Sequence, residues 1–170
     1  MKTNLIFEFI VDRAKATVNV KKEFAADRCL VWDAFTKSEI LDQWWAPKPW
    51  TAKTKSMDFK VGGQRLYAMC GPESEEHWAL MSFTSISPKT NLKYSDSFCD
   101  KEGVIIEEMP DSYWNLDFIE QAETTLVDIH IKMETLEDLE KHIEMGFKEG
   151  FTRTLHGLDD LFLKLNTKNS

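Results

Sequence analysis

The chain has 170 residues, of which 42% are hydrophobic and 29% charged, with a formal net charge of −8. That length suits one domain with a real core and is short for two. An acidic surface repels phosphate, which argues against nucleic acid and anionic membranes as partners, and no run approaches the roughly 18 apolar residues of a membrane span.

Residues 4–11 read as a first strand. Glu8 interrupts the apolar run Leu5, Ile6, Phe7, Phe9, Ile10 and Val11, so the segment resembles a strand more than a signal peptide. Residues 12–16 are turn-like. Residues 17–24 alternate, with Val18 and Val20 on one face, and complete a hairpin. Asp27 is an N-cap candidate for a helix carrying Leu30, Val31, Ala34 and Phe35. Residues 36–38 break it, and Ser38 is a cap candidate for a short second helix with Ile40, Leu41 and Trp44. Pro47 and Pro49 end that helix.

From Trp50 onward the period becomes two. Strands are expected over 51–59, 64–69, 77–86, 92–99, 112–121 and 124–134, with turns at Gly62-Gly63, Gly71-Pro72, Ser87-Pro88 and residues 100–103. Trp78, Leu80 and Ile86 share one parity while Ala79, Met81 and Phe83 share the other, which a β-bulge reconciles. Residues 104–111 form a loop with an apolar patch.

Residues 135–165 read as one long amphipathic helix. Leu136, Leu139, Ile143, Phe147, Thr154, Leu158, Leu161 and Leu165 form its apolar stripe, with Asp138, His142, Glu149, Arg153, His156 and Asp160 opposite, facing water. Gly146, Gly150 and Gly157 lie along one edge of the stripe. Each costs about 1 kcal/mol of helix propensity relative to alanine, so close approach or empty space is expected there. Short connections imply an antiparallel meander, and its one-sided apolar sheet needs this helix as a cover.

Three cysteines, Cys29, Cys70 and Cys99, share no metal-ligand spacing. They read as buried or idle thiols in a reducing, cytoplasmic compartment. His77, His130, His142 and His156 form no paired motif, so neither a metal nor a cofactor is expected.

The segments Val31-Trp32-Asp33-Ala34-Phe35-Thr36 and Gln43-Trp44-Trp45-Ala46-Pro47 precede a strand that ends at Gly62-Gly63. With Glu144-Met145-Gly146-Phe147-Lys148-Glu149-Gly150-Phe151 and Leu158-Asp159-Asp160-Leu161, they resemble the activator of heat-shock-protein ATPase homologue-like family of the START-like (SRPBCC) superfamily. The similarity runs from about residue 18 to 165. Ala26 stands where the family often has proline, and Lys60-Val61 precede the glycines where it often has Arg-Pro. The resemblance implies an α+β helix-grip (START-like) fold: a curved antiparallel sheet wrapped around a long C-terminal helix, with two short helices after the first core strand. A single START-like domain would span 1–170, with residues 1–16 as an N-terminal extension. It also implies binding of a lipid-like or aromatic hydrophobic molecule in an internal cavity; a monomer or homodimer is expected.

Candidate ligand-binding residues are Trp45, Trp50, Tyr67, Trp78, Phe98, Trp114, Phe118, Phe147, Gly150, Phe151 and Thr154. Aromatic rings give a pocket wall large area at low conformational cost; plain core packing is the alternative for each. The Thr154 hydroxyl, near the middle of the stripe, needs a partner, for which a carbonyl one turn back suffices. No nucleophile motif is present. An enzyme acting on polyketide-like or aromatic substrates would need a cavity-facing acid, for which Asp96 and Glu120 are the candidates. A chaperone-associated partner-binding module, suggested by the family name, would instead show an apolar patch on its outer surface.

Overall fold

The computed structural model describes residues 4–168 of the chain. Strands β1 (Phe7–Asp12) and β2 (Thr17–Phe24) are followed by helices α1 (Arg28–Thr36) and α2 (Ser38–Trp44). Strands β3 (Thr51–Met57), β4 (Gln64–Cys70), β5 (Glu76–Ser87), β6 (Asn91–Cys99), β7 (Ser112–Glu120) and β8 (Thr125–Met133) come next, then helices α3 (Leu136–Glu144) and α4 (Phe147–Lys168). Among the described residues, eight strands make one sheet in the order β1-β2-β8-β7-β6-β5-β4-β3, every neighbouring pair antiparallel. The helix-grip architecture is therefore present, with β2 against β8 as the one non-sequential pairing.

The alternating pattern is realised on the concave face. Val18, Val20, Leu116, Val127, Ile129 and Ile131 are fully buried there. Each buried side chain of this size contributes roughly 1.5–3 kcal/mol. The two parities of β5 are reconciled by a register shift between Phe83 and Ser85. Before the shift Ala79, Met81 and Phe83 join the main core; after it Ile86 does. Trp78 and Leu80 point to the opposite face, where they pack with Leu66 and Cys99. Gly63 is required by its surroundings, because a Cβ there would run into the Asp58 carbonyl.

Asp27 caps α1 as its position predicts, its side chain accepting from Leu30 N at 2.9 Å. Ser38 does not cap α2. The N-cap is Lys37, which makes no side-chain cap bond, and Ser38 is the first helical residue.

The C-terminal segment is two helices and not one. α3 ends at Glu144, and Gly146 takes φ +86°, a left-handed conformation that closes a helix and suits glycine. The chain restarts as α4 at a new rotation. Its buried face is Phe151, Thr154, Leu155, Leu158 and Phe162, so Leu155 and Phe162 join the core. Leu136, read as part of the stripe, is 48% exposed. His142, read as facing water, is buried next to Leu139.

The C-terminal half of α4 is fastened to the sheet by Lys22, an inward-facing residue of β2. Its Nζ donates to Asp159 Oδ1 at 3.0 Å and to the Glu23 carbonyl at 2.8 Å. Phe24 meets Phe162 edge-on at 5.5 Å nearby. The N-terminal half of α4 is held by Arg153, whose Nη1 donates to the Lys48 carbonyl at 3.3 Å, and stands over a hollow.

Candidate functional site: an aromatic cavity beneath the helix hinge

The hollow has a volume of about 610 Å³ and lies between the α3–α4 hinge and strands β4 to β7. Its size falls in the range of small-molecule sites. Its walls come from four places. The loop after α2 contributes Trp45, Pro47 and Trp50; the sheet contributes Tyr67, Met69, His77, Ala79, Asp96, Phe98, Ser112 and Trp114. The end of α3 with the hinge, and α4, contribute His142, Met145, Gly146, Phe147, Gly150, Phe151 and Thr154.

The rings brace one another. Trp114 meets Phe151 at 5.3 Å and Phe147 at 6.2 Å, both nearly perpendicular, and stacks on Tyr94 at 5.5 Å. Trp45 meets Trp114 at 5.8 Å and Phe151 at 5.9 Å. Edge-to-face contacts of this kind fix ring orientation, so the wall is formed before any guest arrives. Trp50 and the exposed His77 lie 5.4 Å apart at the margin.

Of the eleven residues expected to line a cavity, the structure brings ten to its border. Trp78 is the weakest of these, because its ring belongs to the cluster on the far face of the sheet. Phe118 is not there: it is buried against Trp32 and Phe35, at 5.0 and 5.5 Å. It shares the parity of Trp114 but sits four residues along β7, beneath α1 and not beneath the hinge. Thr154 donates to the Gly150 carbonyl at 2.9 Å, the one-turn-back partner expected. Of the glycines, Gly150 borders the cavity with Pro47 at ordinary contact distance from a built Cβ, while Gly157 faces open space.

A polar line runs through this apolar wall. Trp45 Nε1 donates to the Tyr67 hydroxyl at 3.3 Å, and Tyr67 donates to Asp96 Oδ2 at 3.0 Å. Oδ1 of Asp96 is buried and has no hydrogen-bond partner among the described residues. Burial pushes the Asp96 carboxyl up to about 7, opposed by the Tyr67 hydrogen bond and the Arg65 charge. The two acid candidates thus separate: Asp96 borders the cavity, whereas the Glu120 side chain is 66% exposed.

Behind this line lies Arg65, fully buried on β4. Its guanidinium covers the Tyr67 ring at 4.1 Å, and its Nη2 pairs with Asp42 Oδ1 at 3.3 Å. Its Nε donates to Thr54 Oγ1 at 3.1 Å. Desolvation lowers the Arg65 pKa, opposed by Tyr67 and Asp42. His142 is held by a bond between Nδ1 and the Asp138 carbonyl at 2.9 Å. A carbonyl only accepts, so Nδ1 carries the proton. Burial lowers the His142 pKa and favours the neutral ring.

Sequence reasoning missed Arg65, Asp42 and His142. The signal for His142 was its place three residues after Leu139, one step along the buried stripe. Arg65 carried a parity signal, alternating with Tyr67. Among the described residues, no group of His, Cys, Asp and Glu is arranged to hold a metal ion, and no helix is long and apolar enough to cross a membrane.

Comparison with known proteins adds the following. The family model described as "Activator of Hsp90 ATPase homolog 1-like protein" matches residues 25–162. A protein from Arthrobacter aurescens solved by NMR is 27% identical with a TM-score of 0.85, over 89% of this chain and 88% of that one. A Staphylococcus epidermidis protein is 25% identical with a TM-score of 0.80, over 93% and 94%. The crystal structure of Ms6760 from Mycobacterium smegmatis, at 23% identity and a TM-score of 0.84 over 93% and 96%, shares the fold. No curated protein matches the chain.

Proposed function

The chain belongs to the Activator of Hsp90 ATPase homolog 1-like family, and from that premise we propose that it binds a small hydrophobic molecule in the cavity beneath the hinge. The observation that carries this reading is the 610 Å³ hollow walled by Trp45, Trp114, Phe147 and Phe151. Binding is driven by desolvation. A flat ligand burying roughly 250 Å² of apolar surface gains about 6 kcal/mol before the cost of its lost freedom. The wall is braced before binding, which keeps the cost of ordering side chains low. Titration with fatty acids, sterols and aromatic probes should quench or shift the fluorescence of Trp45 and Trp114 with saturation. A panel of this breadth giving only linear responses overturns the reading.

A second reading, a chaperone-associated module, is favoured by one observation. Val104, Ile105 and Ile106 form an exposed apolar run, at 62%, 46% and 40% exposure, on the loop between β6 and β7. It predicts direct binding to a purified Hsp90-type chaperone that is lost in I105D. Absence of binding at tens of micromolar by calorimetry, an order-of-magnitude ceiling for a specific contact, removes it.

A further inference from the structure

We propose that Asp96 is the polar anchor of this cavity, and that the molecule it selects is mainly apolar with a hydrogen-bond donor, a hydroxyl or an amine, at its inner end. The proposal rests on the cavity-binding reading above.

It follows from counting which polar groups in the wall are already engaged. Trp45 Nε1 is used by Tyr67, whose own proton goes to Asp96 Oδ2. Ser112 Oγ accepts from Trp114 Nε1 at 2.9 Å, and Thr154 is bonded within its helix. Asp96 Oδ1 is left as the buried side-chain atom with no partner among the described residues, while Ser97, the exposed His77 and Nε2 of His142 also border the cavity. Arg65 does not reach it by a hydrogen bond, being committed to Asp42 and Thr54. A buried carboxylate oxygen without a donor is costly; Oδ1 has almost no surface open to the cavity, so a ligand that supplies a donor recovers that cost by a small turn of the Asp96 carboxyl towards it. An acceptor-only ligand leaves the oxygen unpaired and adds a second lone pair facing it.

The geometry also sets how pH acts. Tyr67 and Arg65 on β4, Tyr94 and Cys99 on β6 and Asp111 ahead of β7 are the titratable and charged groups acting on Asp96 or acted on by it. His142 on α3 and His77 on β5 border the same cavity. Tyr67 holds Oδ2, so a proton taken up by the carboxyl sits on Oδ1. Above about 7 that oxygen accepts; below it, it donates. Selectivity for donors therefore belongs to the alkaline side.

The test uses three ligands with one body: 2-naphthylmethanol, 2-naphthylmethylamine and 2-(methoxymethyl)naphthalene, titrated by calorimetry at pH 8 and pH 5.5. At pH 8 the alcohol, the amine or both should bind about tenfold or more tighter than the ether. At pH 5.5 the alcohol's advantage should fall towards one. Asp96→Leu should bind the ether at least as well as the unaltered protein and show no preference. If all three bind the unaltered protein equally at pH 8, the anchor is wrong and the cavity reading stands. If none binds, the cavity reading fails and takes the anchor with it. Because the deciding comparison uses the unaltered protein, a variant that fails to fold does not affect it.

Discussion

The Tyr67 hydroxyl reaches Asp96 Oδ2 at 3.0 Å across an intervening strand, from β4 over β5 to β6. The residue opposite Tyr67 on β5 is Ala79, and its small side chain leaves the path open. The bond ties the two polar residues of the cavity floor together and lets Trp45, from the loop after α2, complete the line.

Removing that hydroxyl should be felt at both ends. Tyr67→Phe leaves Trp45 Nε1 without its acceptor and strips Asp96 of its one donor. A loss of about 1–3 kcal/mol is expected from two buried groups left unpaired. The Asp96 carboxyl should also move above its value of about 7, because the Tyr67 bond is what opposes burial most. Urea denaturation and carbon-detected NMR titration of Asp96 measure the two effects. An unchanged Asp96 titration would mean that the bond does not form in solution.

Asp96 itself makes stability depend on pH. Its carboxyl titrates near 3.8 when unfolded and near 7 when folded, so the folded state binds the extra proton between those values. Stability is therefore full below about 4, declines as pH rises to about 7 and stays reduced above. The reduction is bounded by about 4 kcal/mol at roughly 1.4 kcal/mol per unit. Asp96→Asn should be more stable than the unaltered protein at pH 8.5, and the gap should close towards pH 4. Parallel melting profiles across that range would contradict the assignment.

Lys22 and Asp159 hold the far half of α4 down. Lys22 is 3% exposed and Asp159 30%, so Asp159 can be rehydrated when its partner goes. Lys22→Met should cost about 1–3 kcal/mol, below the range for a fully buried pair. The double variant Lys22→Met with Asp159→Leu should recover most of it. Hydrogen exchange of residues 155–162 should rise in the single variant; no change there would show that packing of Leu158 and Phe162 alone secures the helix.

Two glycines of the C-terminal segment should respond oppositely to alanine. Gly146 sits at φ +86°, where a side chain is strained, so Gly146→Ala should destabilise by about 1 kcal/mol. Gly157 lies inside α4 and a Cβ there meets nothing within 4 Å. Gly157→Ala should stabilise by roughly 0.5–1 kcal/mol. Thermal denaturation of both separates a helix end from a helix interior, and equal signs would rule the hinge out.

Filling the cavity should block binding while the fold is retained. Ala79 borders the hollow from β5, and Ala79→Phe places a ring where a ligand would lie. Affinity for naphthalene-sized probes should fall about tenfold or more, and stability should fall by about 1–3 kcal/mol because the ring also enters the path of the Tyr67–Asp96 bond. Undiminished binding would move the ligand elsewhere.

The sequence by itself determined the strands, the first cap, the prolines that stop α2 and the family motifs from Val31 to Pro47. These are local: a period of two, a side chain three residues from a backbone N–H, a ring without an N–H. It also placed most of the aromatic wall, because inward parity and a position under the final helix are both readable along the chain. Tertiary structure decided the rest. Gly146 breaks the segment in two, so each helix takes its own phase: α3 buries His142 with Leu139, and α4 brings Leu155 and Phe162 into the core. Phe118 and Trp114 share a parity, yet α1 covers one and the hinge the other. Asp96 finds Tyr67 twenty-nine positions away, and Arg65 finds Asp42 twenty-three away. Periodicity records which side of an element avoids water; which neighbour fills that side depends on register and on the angle at which elements meet, and a one-dimensional pattern carries neither.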